Sequence, residues 1–91
     1  MGIGAPGPAH WAVRLREREL RILRLVEWAE LEGLRPSRRA YEAVRRRARE
    51  LFLVRGETAS DYAQLAMWLL SDPIRTALEL DRLRRRRPEW G

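Results

Sequence analysis

The stretch Asp61 to Leu70, DYAQLAMWLL, decides how the fold is read, because here apolar residues face nearly every direction around a helix. Tyr62, Leu65, Ala66 and Leu69 form one stripe at helical spacing, and Ala63, Met67, Trp68 and Leu70 fill much of the remaining circumference. A helix that is apolar all round has to be covered by its neighbours. This segment is therefore expected at the centre of a small helical bundle, with its aromatic residues serving as core or interface rather than as a cofactor box.

The flanks supply start and stop signals. Upstream, Thr58 with Asp61 three residues on reads as an acidic variant of the capping box, so the central helix is expected over about 58–70. Downstream, Asp72 is placed to cap and Pro73 to take the first helical position of a fourth helix, about 73–87, packed through Ile74, Ala77, Leu78 and Leu80. That helix ends in Arg84, Arg85, Arg86 and Arg87. Cations at a helix C-terminus are favourable by roughly 0.3–1 kcal/mol each, which accounts for one or two of these arginines and not for four.

On the other side of Gly56, Ser37 as cap and Pro36 or Ser37 as the entry predict a second helix over about 37–55, its buried side made by Tyr41, Val44, Ala48, Leu51 and Phe52. The first helix is expected over about 10–32, from Trp11, Leu15, Ile22, Val26 and Ala29. Gly33 is a natural left-handed stop, with Leu34 folding back as in a Schellman cap. The five arginines and five glutamates of this helix cancel, which suits a solvated face with pairs such as Glu17 with Arg21. A second apolar line, Val13, Leu20 and Leu31 with Trp28 nearby, runs roughly opposite the first: either helix 1 is sandwiched within the bundle or this line is an oligomer or partner contact, with a homodimer slightly favoured. Residues 1–9, with three glycines and two prolines, read as a mobile tail, and residues 88–91 as a frayed end. The fold class is thus all-α: one small bundle of four helices behind a disordered N-terminal tail.

Composition bounds the rest. Ninety-one residues, 45% of them apolar, make one domain with a marginal core. No cysteine is present, which excludes disulfides and thiolate chemistry and fits a reducing, cytoplasmic setting. No apolar run approaches the roughly 18–20 residues of a membrane span, so no membrane association is expected. All 19 basic residues are arginine. GC-rich codon usage alone produces such a bias, and the absence of Asn and Cys also suits a hot environment.

Catalysis is not expected. His10 is the sole histidine and lies at the edge of the tail, without a nucleophile elbow or metal-ligand partners at helical spacing. Glu57 and Asp61 offer a carboxylate pair one turn apart, but the helix start accounts for both. Gly2, Gly4 and Gly7 spell G-x-G-x-x-G without the preceding strand that a phosphate cradle requires. No cofactor is implied. The segment RLREREL, Arg14 to Leu20, is similar to the Arg- and Glu-rich opening of the helical chorismate mutases; that family's active site calls for lysine, which this chain lacks, and the likeness carries no function here.

What remains is localised positive charge. Leu34 to Gly56 carries eight arginines against Glu42 and Glu50, a net of +6 that equals the excess of the whole chain. At about 100° per residue, Arg38, Arg45 and Arg49 share a narrow arc, with Arg39 and Arg46 on its flank. A guanidinium forks onto phosphate with two hydrogen bonds, so the first expectation is nucleic acid, DNA or RNA, bound mainly through its phosphates, with Arg84 to Arg87 as a second contact. A sharper version makes helices 3 and 4 a helix-turn-helix read through Arg75 and Thr76, against which Glu57 to Asp72 nets −3. The alternative is a protein-interaction module, a small regulator, inhibitor or assembly factor using the arginine and tryptophan surface. A third reading has the arginines neutralised by the carboxylates of helices 1 and 3.

Overall fold

The computed structural model describes the backbone of residues 6–90 and the side chains of residues 16–85. Four helices, α1 (Pro6–Leu31), α2 (Arg38–Phe52), α3 (Gly56–Leu70) and α4 (Pro73–Trp90), are joined by short connections, and no strand occurs among the described residues. Helix α3 packs against each of the other three, whereas α2 and α4 do not meet among the described residues. The all-apolar stretch therefore sits at the centre, with α2 and α4 on different sides of the α1 and α3 pair.

Small side chains permit that central position. Ala29 on α1, Ala40 and Ala48 on α2, and Ala59, Ala63 and Ala66 on α3 are all essentially inaccessible. Interaxial distance depends on the side chains at the contact, and alanines let α3 approach two neighbours at once. Leu25, Val26, Val44, Leu80 and Leu83 fill the remaining space, and Phe52 meets Tyr62 edge to face with ring centroids 6.3 Å apart.

Three local signals act as their residues require. Ser37 is the N-cap of α2, its hydroxyl oxygen accepting from the Ala40 N–H at 3.0 Å. Asp72 caps α4 by accepting from the Arg75 N–H at 3.1 Å, with Pro73 first in the helix. At the end of α1, the Leu34 N–H donates to the Ala29 carbonyl (2.9 Å) and the Gly33 N–H to the Glu30 carbonyl (3.0 Å), the paired bonds of a Schellman motif. Gly33 has φ +72°, a left-handed conformation that costs a residue with a Cβ roughly 1–2 kcal/mol. Gly33→Ala is expected to destabilise the domain by about that amount in urea titration, although open space surrounds the added methyl.

Other expectations need correction. Helix α1 starts at Pro6 rather than His10: the first four N–H groups of a helix have no intrahelical partner, so Pro6 and Pro8 forfeit nothing there. Residues 1–5 of the expected tail, and Gly91, lie outside the described residues. Helix α2 stops at Phe52, because Leu53 turns left-handed at φ 56°, three residues before the glycine expected to end it. Helix α3 then begins at Gly56 with Arg55 as an N-cap that makes no side-chain bond, and Thr58 lies inside the first turn rather than capping. Helix α4 continues through Pro88 to Trp90.

Several apolar side chains also face the other way. On α4, Ile74, Ala77 and Leu78 are exposed; the buried side is Thr76, Leu80 and Leu83. The buried Thr76 hydroxyl donates to the Leu69 carbonyl, which also accepts from the Asp72 N–H, so a polar group on the buried side of α4 is satisfied by α3. Leu51 is exposed on α2, and Trp68 on α3 is 74% accessible, so the apolar circumference of α3 has one open side.

Candidate phosphate-binding face on helix α2

The face depends on how α2 is rotated. Ala40, Val44 and Ala48 point into the core, with Tyr41 and Phe52 packed at its margin. That stripe leaves Arg38, Arg39, Arg46 and Arg49 exposed. Among the described residues none of these four makes an ion pair, and Glu50, one turn from Arg46, makes none either. From Arg38 to Arg49 the helix rises about 16 Å at 1.5 Å per residue, close to five base-pair steps of a duplex at about 3.4 Å each. Arg35, exposed in the connection before α2, extends the charge beyond the helix start.

Arg45 and Arg47 belong to the scaffold instead. Arg45 is half-buried and holds Glu42 at 3.3 Å. Arg47 lies over the Trp28 ring with its guanidinium carbon 5.4 Å from the centroid. The Nε atoms of both are buried without a hydrogen-bond partner, which marks these side chains as packed. Their helical angles place Arg45 with Arg38 and Arg49, but angle alone does not show that Glu42, one turn back, holds its guanidinium.

The arginines at the end of α4 divide likewise. Arg84 reaches Glu27 on α1 at 3.6 Å, and Arg85 pairs with Asp81 at 3.0 Å. The side chains of Arg86 and Arg87 lie outside the described residues. A pair with a helix 1 carboxylate is thus made from α4, and among the described residues no α2 arginine makes one within the chain. Arg21, expected beside Glu17, stacks over Phe52 at 5.5 Å.

Three residues of the second α1 line have described side chains. Leu20 and Trp28 pack against the core, Trp28 beneath Arg47, while Leu31 is 80% exposed and the Val13 side chain lies outside the described residues. Of the two helix-turn-helix readers, Thr76 is buried, whereas Arg75 stays exposed with its Nε 3.8 Å from Glu79. No group of three or more potential metal-ligating side chains occurs among the described residues, and no described helix is long and apolar enough to cross a membrane. His10 and the Trp11 and Leu15 side chains lie outside the described residues. No family model, no characterised protein and no solved structure matches the chain.

Proposed function

We propose that this chain binds nucleic acid, DNA or RNA, by laying α2 along the phosphate backbone, as a small regulatory or architectural protein of the cytoplasm acting without a cofactor or catalysis. The observation that carries the reading is the exposed row of Arg38, Arg39, Arg46 and Arg49, none paired to a carboxylate among the described residues. Each guanidinium that meets a phosphate releases condensed counterions, and this supplies most of non-specific affinity. Few side chains on this face are suited to reading base edges, so recognition follows backbone and shape more than sequence.

Salt tests the reading directly. With four phosphates neutralised, the logarithm of the association constant on random duplex falls against the logarithm of salt with a slope of about −3.6, or about two orders of magnitude of affinity between 50 and 200 mM. A flat dependence contradicts it. A protein-interaction module, as a small regulator, inhibitor or assembly factor, is the second reading, favoured by the exposed Trp68, Ile74 and Leu78 on the α3 and α4 side.

A further inference from the structure

We propose that the cleft between α1, α3 and α4 is a self-association surface, in which Trp68 of a second copy of this chain seats across a two-fold axis. The cleft is open to solvent and has a volume of about 890 Å³. Its apolar lining includes Ile22 and Leu23 of α1 and Leu65 and Leu69 of α3, with Trp68 itself at the edge. An indole left 74% exposed beside an apolar cleft is an unmet burial, and tryptophan is the side chain that most often anchors interfaces.

Charge selects the occupant. The rim carries Arg18 and Arg75 against Glu19, Asp72 and Glu79, a net of −1 on a chain whose total is +6. That balance offers a polyanion no net attraction here, unlike α2. Arg75 and Glu79 face each other at 3.8 Å, and the Asp72 carboxylate accepts from the Arg75 backbone N–H. Arg18 and Glu19 are exposed neighbours, and neither makes an ion pair among the described residues. A partner of one charge sign would satisfy one of the two and oppose the other. A two-fold copy satisfies both, because an isologous interface sets each rim against itself and brings Arg18 of either copy to Glu19 of the other. No α2 residue lines the cleft, so pairing leaves both arginine rows open and gives one particle two phosphate-binding faces, with the avidity that follows. The surface differs from the α1 line of Leu20, Trp28 and Leu31.

Sedimentation of the full chain without nucleic acid tests this independently of the phosphate-binding proposal. At high protein concentration the mass is expected at twice the 10.8 kDa of the chain. Trp68→Glu should halve it with helix content unchanged, whereas Leu31→Glu, at a site 80% exposed elsewhere, should leave it doubled. Arg18→Glu should weaken the dimer, and the swap Arg18→Glu with Glu19→Arg should restore it. A wild-type chain that stays at 10.8 kDa, a Trp68→Glu chain that stays doubled, dissociation by Leu31→Glu, or a swap that fails to restore association each overturns the proposal.

Discussion

Replacing Arg46 and Arg49 together by glutamate is expected to abolish binding to random duplex while leaving helix content and thermal stability intact. Both side chains are exposed and unpaired among the described residues, so the fold loses no contact with them. The net charge falls from +6 to +2, since each exchange removes one positive and adds one negative charge. Two of four phosphate contacts vanish, and two carboxylates then face the phosphates beside Arg38 and Arg39. The milder Arg46→Ala with Arg49→Ala should flatten the salt slope by about 1.8, at about 0.9 per contact. Arg45→Ala is the informative control. Its guanidinium already holds Glu42, so the slope should barely change. Fluorescence anisotropy across a salt series reads all three, and undiminished binding by the Arg46 and Arg49 double glutamate variant would exclude α2 as the contact face.

The largest effect on stability is expected at Leu25. This side chain is fully buried in the cluster that joins α1 to α3 and α4, and Leu25→Ala removes its transfer free energy and leaves a cavity, at a cost of about 2–5 kcal/mol. For a domain of this size each kcal/mol shifts Tm by roughly 4–8 °C. The domain's total stability is itself on the order of 5–15 kcal/mol, so the variant approaches global unfolding at growth temperature. Leu31→Ala is the matched comparison: the same side chain, 80% exposed, should change stability by no more than about 0.5 kcal/mol. Urea titration distinguishes the two. Equal losses would mean that α1 is rotated differently in its bundle.

These cases separate what is local in the chain from what packing decides. Ser37, Gly33 and Asp72 act through bonds within a few positions of themselves, and Pro73 through its fixed φ at the first helical position, so their roles are legible without any tertiary structure. The centrality of Asp61 to Leu70 is legible for a related reason, since a run apolar on so many sides needs several neighbours. Helix rotation is not local. On α4, Ile74, Ala77, Leu78 and Leu80 offer more than one apolar side, and the side taken carries Leu83 and a threonine hydroxyl that bonds back to α3. Likewise Thr58 has the chemistry of a cap, but Leu53 ends α2 early and moves the start of α3 ahead of it.

The arginines divide along the same line. Charge localisation on α2 follows from counting alone, and the exposure of Arg38, Arg39, Arg46 and Arg49 follows once Ala40, Val44 and Ala48 set the buried stripe. That Arg47 would cover Trp28, and that Arg84 would reach across to Glu27, depends on how helices cross. Such contacts withdraw cations from the surface without altering the formal charge.

The most direct measurement is the map of amide chemical-shift changes as random duplex is added to the labelled chain at low salt. Changes are expected to concentrate over Ser37 to Leu51, largest near Arg46 and Arg49, while Asp61 to Trp68 on α3 stays still. Changes confined to the α3 and α4 side, or no changes in α2 at saturating duplex, would contradict binding along α2.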